Sequence, residues 1–323
     1  MKSTSKTMKN YAFGVDVGGT FCKLGLFETD GTLLERWEIP TDTRDGGTRI
    51  LPDIAATIQE RRKKLPENSV LGVGVGVPSP MTQDGVAIKS VNLGWENYPV
   101  AAELSRLTNL PVYAANDVNV ASLGEFWKGS AVGYSNAIVL TLGTGIGGGL
   151  IVNGHLVNGE TGSAGEIGHV IVNPQETERC ACGRKGCLEQ YASATGLVRM
   201  AERRLSGTSA HSVLREKNPL TAKDIFDAAK AGDAIAVELV ESFGQILGGA
   251  LSDMACVLNP EIIVIGGGVS KAGSIVTDVV RRFFYEKTLF TCKNTKIVLA
   301  TLGNDAGIYG GVRLLLERIE ELK

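Results

Sequence analysis

The fold of this chain is decided by the segment YAFGVDVGGTFCKLGLF, residues 11–27. An apolar run rich in β-forming residues, Tyr11 to Val17, ends at Gly18-Gly19-Thr20, and a second apolar run, Cys22 to Phe27, follows at once. Two such runs joined by glycines are typical of a β-hairpin. We therefore predict that the chain opens with paired strands joined by a glycine turn.

The same arrangement occurs a second time in the segment TLGTGIGGGLI, residues 141–151. A strand-like run, Ala137 to Leu142, again leads into glycines and then into a further apolar run. The two segments indicate an internal duplication of one strand-turn-strand unit. A second α/β unit is therefore predicted to begin near Ala137.

Strand and helix patterns alternate between these two segments. They predict a third strand at Leu33–Ile39, a helix at Ile50–Leu65, a buried strand at Val70–Val77, a short helix at Val100–Leu107 and a strand at Val112–Ala115. The order βββαβαβ predicts a mixed sheet flanked by helices, and hence the α/β class.

The second half of the chain continues the alternation. Thr221 with Asp224 resembles a capping box, which marks the start of a helix. The patterns further predict a helix from Leu239 to Leu258, stopped at Asn259-Pro260, a strand at Glu261–Ile265, a last strand at Lys296–Leu302 and a last helix at Ile308–Leu322.

The composition is that of a globular protein. The chain has 323 residues, 43% hydrophobic and 21% charged, which is enough for two domains. Its 33 basic and 35 acidic residues leave no basic footprint for nucleic acid. No apolar run approaches the roughly 18 residues that a membrane span needs. We expect a cytoplasmic protein that binds neither nucleic acid nor a membrane.

Glycine clusters follow three of the apolar strands, at Gly18-Gly19, Gly143–Gly148 and Gly266–Gly268. Backbone without side chains can approach phosphate oxygens closely and present N–H donors. The middle cluster matches G-x-G-x-x-G, but a strand follows it instead of a helix, so a dinucleotide-binding turn is not indicated. Each cluster alone could be a tight hairpin turn. Three of them at strand ends favour a phosphate clamp.

Two aspartates follow predicted strands. Asp117, flanked by Asn116 and Asn119, could accept a hydroxyl proton and orient the oxygen for attack on a phosphoryl group. Its alternative role is an Asx turn or a helix N-cap. Asp16, beside the first glycine turn, is a candidate for holding Mg²⁺ near phosphate, or else a plain turn residue at a strand end.

A cysteine-rich loop, CACGRKGC at residues 180–187, follows His169 in a chain with only six Cys and three His. Three thiolates and one imidazole complete a tetrahedral structural zinc site, and clustered cysteines in a reducing cytosol favour metal binding over disulfides. Glu166 and Glu189 flank this loop. They are either surface acids or, because a metal would order the loop, groups that face a ligand.

Five motifs together resemble the ROK family of repressors and sugar kinases. They are DVGGT at 16–20, ND-x-N at 116–119, LGTGIG at 142–147, EIGH at 166–169 and CxCGxxGCLE at 180–189. The resemblance extends from Tyr11 to the C-terminal helix, and the last two motifs are the most specific. It implies an α/β, two-domain, actin-like (ribonuclease H-like) sugar-kinase fold with an interdomain cleft.

The resemblance also implies roles for individual residues. Asp117 would be the base that acts on the sugar 6-hydroxyl. The implied substrate-binding residues are Asn92, Asn116, Asp117, Glu166, His169 and Glu189. The implied ATP-binding residues are Asp16, Gly18, Gly19, Thr20, Lys23, Thr144, Gly145, Gly147, Gly266, Gly267 and Gly268. The implied zinc ligands are His169, Cys180, Cys182 and Cys187.

On this basis we predict an ATP-dependent kinase that makes glucose 6-phosphate and uses ATP, Mg²⁺ and a structural Zn²⁺. Two alternatives stay open. One is a kinase for another hexose or N-acetylhexosamine (N-acetylmannosamine, N-acetylglucosamine, fructose or allose), and the other is a non-catalytic sugar-sensing member of the family.

The predicted domains are residues 1–117, completed by the C-terminal helix at about 306–323, and residues 118–305, which carry the zinc loop. Because the family commonly forms dimers or tetramers, a homodimer or homotetramer is expected. Family repressors carry a helix-turn-helix domain before the first strand, and only about ten residues precede Tyr11 here. A DNA-binding role is therefore not expected.

Overall fold

The computed structural model describes residues 10–321, and within that range the chain forms two compact units. The first unit runs to Val132 and also includes Asn158–Ala164 and the chain from Asn304 onward. The second unit comprises Gly133–Val157 and Gly165–Gly303. The boundary predicted at residue 117 assigns residues 118–132 and 158–164 to the second domain, whereas these segments belong to the first unit.

The strands of the first unit are β1 Tyr11–Val17, β2 Phe21–Glu28, β3 Leu33–Pro40, β4 Val70–Val77, β5 Ala87–Ser90, β6 Trp95–Tyr98 and β7 Val112–Asn116. Those of the second unit are β8 Ala137–Leu142, β9 Ile146–Val152, β10 His155–Leu156, β11 Ile262–Gly266 and β12 Lys296–Leu299. The predicted last strand therefore ends at Leu299 and not at Leu302, and the β5–β6 hairpin was not predicted.

The α-helices are α1 Arg44–Gly47, α2 Ile50–Arg62, α3 Val100–Thr108, α4 Asp117–Lys128, α5 Glu189–Ala192, α6 Ala194–Ser206, α7 Ala222–Lys230, α8 Ala234–Leu258, α9 Ser274–Lys287 and α10 Ala306–Glu321. The capping box predicted at the start of α7 is present, because Thr221 and Asp224 each accept the other's backbone N–H. The last helix begins two residues before the predicted Ile308, and Leu322 lies outside the described residues.

The two units carry sheets of the same topology. The first sheet has the strand order β3-β2-β1-β4-β7 and the second has β10-β9-β8-β11-β12. In each, three strands pair antiparallel and two further strands continue in parallel. The duplicated glycine-turn hairpins, β1–β2 and β8–β9, occupy equivalent places. The internal duplication predicted from the sequence is thus a duplication of a whole sheet.

Helices α4 and α10 of the first unit pack with their backbones in direct contact. A methyl group at Gly310 would overlap the carbonyl oxygen of Val120, and one at Gly124 would overlap that of Ala306. Only glycine permits this approach. The contact places the first turn of α4, which begins at Asp117, beside the same sheet that α10 covers.

Helix α8 forms much of the core of the second unit. Leu239, Phe243, Leu247 and Leu251 are buried along one face. By length and composition alone, α8 could cross a membrane, since it has 25 residues and an 18-residue window of mean hydropathy 1.4. More than half of that window is buried inside the protein, as in a core helix.

Candidate active site and zinc centre

Asp16 and Lys23 face each other across the first hairpin. They are partners in the β1–β2 register, and Lys23 Nζ lies 3.4 Å from Asp16 Oδ2. Burial raises the pKa of Asp16, and the Lys23 charge counteracts part of this effect. A methyl group at Gly307 would lie 2.7 Å from the Asp16 carboxyl carbon, so the first turn of α10 closes against this carboxylate.

The first glycine turn, Gly18–Thr20, is fixed at one end and open at the other. The N–H of Gly18 donates to the carbonyl of Phe21 at 3.1 Å, and its own carbonyl accepts from Thr41 Oγ1 at 2.7 Å. Gly19 and Thr20 are exposed, and a methyl group at Gly19 would lie 3.9 Å from Asn92 Cβ. The structure thus brings Asn92 next to the predicted phosphate turn.

Asn116, and not Asp117, is the N-cap of α4. The Asn116 side chain accepts hydrogen bonds from Val118 N at 2.9 Å and Asn119 N at 3.2 Å, and its Nδ2 donates to Ser79 O at 3.2 Å. Asp117 occupies the first helical position. The capping role that was the alternative for Asp117 is therefore filled by its neighbour.

The Asp117 carboxylate lies in an environment that disfavours its charge. Burial and the nearby Asp16 carboxylate raise the pKa of Asp117 to about 6, and the N–H of Val118, which Asp117 Oδ1 accepts at 2.9 Å, counteracts part of the rise. A carboxylate with a pKa near neutrality is a stronger base than an ordinary aspartate and is still deprotonated at neutral pH.

The second glycine turn, Gly143–Gly145, lies between β8 and β9, and groups from α5 and α6 hold it; the predicted Gly147 lies within β9. Glu189 Oε2 accepts the N–H of Ile146 at 3.0 Å, and a methyl group at Gly145 would overlap the same oxygen. Ala194 N donates to Gly143 O at 2.8 Å. Thr195 Oγ1 donates to Thr144 O at 2.6 Å.

The third glycine cluster lies at the same sheet edge as the second. Strands β8 and β11 are parallel neighbours, so their carboxyl ends are adjacent. Gly267 has φ +83°, and a methyl group there would lie 2.5 Å from Leu142 O. Gly268 is open, with nothing within 4 Å of its methyl position. The carboxyl edge of such a sheet is where α/β proteins bind ligands.

The four predicted zinc ligands lie together in the second unit. His169, Cys180, Cys182 and Cys187 each offer one atom, and all of these atoms lie within 4.8 Å of one another. Cys182 Sγ lies 3.6 Å from Cys187 Sγ, and Cys180 Sγ lies 3.8 Å from His169 Nδ1. Thiolates bound at ~2.3 Å around a tetrahedral zinc stand about 3.8 Å apart. The donor set and its spacing fit zinc.

The glutamates beside this cluster have different surroundings. Glu166 is exposed, and its Oε2 lies 3.9 Å from His169 Nε2. Glu189 Oε1 lies 3.6 Å from Cys180 Sγ while Oε2 binds the glycine turn. Glu189 is therefore engaged by the protein itself, which the sequence did not indicate.

A buried ionic cluster behind the zinc loop was also not predicted. Glu176 accepts hydrogen bonds from Tyr191 Oη at 2.7 Å and from Arg199 and Arg203 at 3.1 Å. These partners hold the pKa of Glu176 well below its usual range, with Arg203 as the largest cause. Arg199 also donates to Gln190 O at 2.9 Å, so the cluster anchors the loop to α6. No local motif marks these residues.

Two sheets of actin-like topology, each with glycine turns at its carboxyl edge, define an α/β protein of the actin-like class, as predicted. The model of the ROK family matches residues 12–318, and the chain belongs to this family. The family prediction is thereby confirmed.

The chain is similar to named members of this family over nearly its whole length. It is 42% identical to a glucokinase of Halalkalibacterium halodurans, covering 92% of each chain, and 35% identical to a glucokinase of Thermotoga maritima, covering 95% of this chain and 97% of the relative. A ROK family glucokinase of Streptomyces griseus, solved with glucose and AMPPNP, is 31% identical with a TM-score of 0.77 and covers 95% of this chain and 100% of the other.

Proposed function

We propose that this chain is an ATP-dependent sugar kinase that phosphorylates the 6-hydroxyl of glucose, with Asp117 as the general base. The observation that carries the proposal is the Asp117 carboxylate, held at the start of α4 with a pKa raised to about 6 by burial and by Asp16. The similarity to glucokinases, one of them solved with glucose and a nucleotide analogue, supports glucose and ATP as the substrates.

In the proposed step, a carboxylate oxygen of Asp117 takes the proton of the sugar 6-hydroxyl. A bond forms between the deprotonated sugar 6-oxygen and the γ-phosphorus of ATP, and the bond from this phosphorus to the bridging oxygen of ADP breaks. The products are glucose 6-phosphate and ADP, and the proton leaves Asp117 to solvent. Because transfer needs little covalent chemistry from the protein, positioning supplies most of the rate.

We assign the phosphate groups of ATP to the glycine turns. Gly19, Thr20, Thr144, Gly267 and Gly268 are exposed, and backbone at such positions suits close approach of phosphate oxygens. Gly145, Gly147 and Gly266 are part of the same glycine-rich segments. The Lys23 ammonium beside Asp16 suits the same charge. A Mg²⁺ ion, which would neutralise phosphate charge, fits the carboxylate oxygens of Asp16, since oxygen ligands are those it prefers.

We assign the sugar hydroxyls to Asn92, Asn116, Glu166, His169 and Glu189. The free hydrogen of Asn116 Nδ2, the exposed Glu166 carboxylate and the second nitrogen of His169 remain available for this purpose. Zn²⁺, held by His169 Nδ1 and the thiolates of Cys180, Cys182 and Cys187, would fix the loop that carries these groups. Burial raises the pKa of the Cys187 thiol to about 12, so the thiolate form at this position relies on a bound cation.

The state of the cysteines bears on the compartment in which the enzyme would act. All six cysteines lie within the described residues and are free thiols, which suits the reducing cytoplasm. We infer a cytoplasmic enzyme that acts on small molecules, binds no nucleic acid and assembles as a homodimer or homotetramer.

An ADP-release assay over a sugar panel tests the activity. We expect turnover with glucose to exceed that with fructose, mannose, allose, N-acetylglucosamine and N-acetylmannosamine, and the product to carry phosphate on its 6-hydroxyl. If another sugar had a higher kcat/KM than glucose, the proposed substrate would be wrong and the proposed kinase reaction would still hold. If the protein bound a sugar tightly and phosphorylated none, it would be a sugar sensor and not a kinase.

A further inference from the structure

A cavity of about 220 Å³ lies within the first unit beside β7. At ~30 Å³ per molecule it has room for roughly seven waters, or for one small organic molecule. Asp16, Asn92 and Asp117 do not line it, whereas Asn116, which we assign to the sugar hydroxyls, does. Its lining residues are Met81–Gly85, Ala101, Val112–Asn116, Asn119, Asn158, Gly162, Leu314 and Arg318.

The cavity runs along the open edge of a sheet. β7 is the edge strand of its sheet, and all of its residues, Val112–Asn116, line the space. Successive side chains of a strand point to opposite faces, so a cavity on one face would meet only alternate residues. Because every residue of β7 lines the cavity, the cavity lies along the edge of β7 that does not pair with β4. The backbone N–H and C=O groups on that edge can hydrogen-bond a ligand.

Asn119 is a buried amide on this cavity wall. The residue is only 4% exposed, and among the described residues its side chain has no hydrogen-bond partner. Its backbone N–H, in contrast, donates to Asn116 Oδ1 at 3.2 Å. Because Asn119 lines the cavity, its amide is available to bond water or a ligand there.

The remaining polar groups of the wall are mostly neutral. Gln83, Asn158 and Thr82 add two carboxamides and a hydroxyl, which both donate and accept hydrogen bonds. One acid, Asp84, and one base, Arg318, also line the cavity, and Arg318 Nη1 is paired with Glu321 Oε2 at 3.0 Å. Met81, Ala101, Val112, Ala114 and Leu314 supply apolar surface.

We propose that this cavity is a second ligand site, which binds an uncharged polyhydroxy compound of monosaccharide size through the Asn119 amide and the open edge of β7. Hydroxyl groups match carboxamides and backbone edges because each can donate and accept. An anion would find only Arg318, which Glu321 already pairs, and a cation only the exposed Asp84. The site does not depend on the proposed kinase activity, since binding is measured without turnover.

The test uses the intact protein with saturating glucose, so that any glucose site is filled before the probe is added. myo-Inositol, mannitol and xylitol are titrated by calorimetry and by thermal unfolding. We expect at least one of them to bind one per chain and to raise the unfolding midpoint by roughly 2–4 °C at tenfold excess over Kd. Gluconate and glucosamine, the charged comparators, should bind at least tenfold more weakly.

Asn119→Leu keeps the approximate volume and removes the amide. We expect it to weaken polyol binding at least tenfold, because the amide that would bond the ligand is lost. Gln245→Leu, at an exposed position of α8, is the matched control and should bind the polyol like the parent.

Gln83→Ala, at the exposed rim, gives a second measure if Asn119→Leu does not fold, and should weaken binding severalfold. The proposal would be overturned if Asn119→Leu and Gln83→Ala bound the polyols as tightly as the parent does. It would also be overturned if gluconate or glucosamine bound more tightly than the polyols. Absence of binding by all three polyols would mean that the cavity holds water alone and would overturn it as well.

Discussion

The Glu189 carboxylate accepts the backbone N–H of Ile146 at 3.0 Å through one oxygen, while its other oxygen lies 3.6 Å from Cys180 Sγ. One side chain therefore joins the glycine turn of the second unit to the cysteine cluster. In the proposed enzyme this would couple the nucleotide turn to the zinc loop.

We expect Glu189→Ala to raise the KM for ATP and the KM for glucose at least tenfold each. The reason is that a hydrogen bond to a charged group, worth roughly 1.5–3 kcal/mol, holds the turn at Ile146. Steady-state kinetics with each substrate varied would measure this. Glu189→Gln keeps an acceptor oxygen and should recover most of the ATP KM, and the exposed Glu202→Ala should leave both constants unchanged. An unchanged ATP KM in Glu189→Ala would refute the coupling.

Asp117→Asn should lower kcat by about 10²–10⁴, the usual contribution of a general base. The same change should stabilise the fold at neutral pH. The folded-state pKa of Asp117, about 6, lies above the ordinary aspartate value of 3.8. The contribution of Asp117 to stability is therefore full below pH 3.8 and is lost as pH rises through about 6. The gain is on the order of 1–3 kcal/mol, measured by chemical denaturation.

The exposed Asp253→Asn serves as the control for both readouts and should change neither. Near-normal turnover in Asp117→Asn would remove the base assignment, whatever the stability does.

The pH profile of kcat/KM for glucose should have an acid limb near pH 6. Below that pH, Asp117 is protonated and cannot take the sugar proton, so the rate should fall about tenfold per pH unit. Circular dichroism across the same range would show whether the fold persists. An acid limb near the ordinary aspartate pKa of about 4 would contradict the raised pKa.

Purified protein should contain about one zinc per chain, and chelation should raise the glucose KM as well as lower stability, since His169 belongs to both proposed sites. Atomic absorption and kinetics before and after chelation would test this. Cys182→Ser should reduce zinc content, whereas Cys256→Ser, at an exposed cysteine outside the cluster, should retain it. A zinc-free protein with an unchanged glucose KM would disprove the link.

Gly310→Ala should destabilise the first unit by about 1–3 kcal/mol or more, because its methyl group would overlap the Val120 carbonyl and push α10 from α4. Gly249→Ala, on α8, is the contrasting case. Its methyl group would lie 3.2 Å from the flexible Lys287 ammonium and should add about 0.5–1 kcal/mol of helix stability. Thermal unfolding of both variants would measure the difference, and equal midpoints would contradict close backbone packing.

Local patterns were sufficient for the two glycine-turn hairpins, β1–β2 and β8–β9, and for the zinc cluster. The Cys180–Cys187 loop holds three of the four zinc ligands within one short segment. The capping box of α7 likewise uses two residues close in the chain, Thr221 and Asp224. Such features depend on contacts between residues close in the chain, and they are legible in sequence for that reason.

Other properties arose only from folding. The raised pKa of Asp117, the bond from Glu189 to Ile146 and the cavity at Asn119 all depend on groups that distant segments bring together. Burial and electrostatic interaction are set by distances in space. The motifs therefore identify which residues are available for chemistry, whereas the packing of sheets and helices decides which of them meet and how readily each holds a proton.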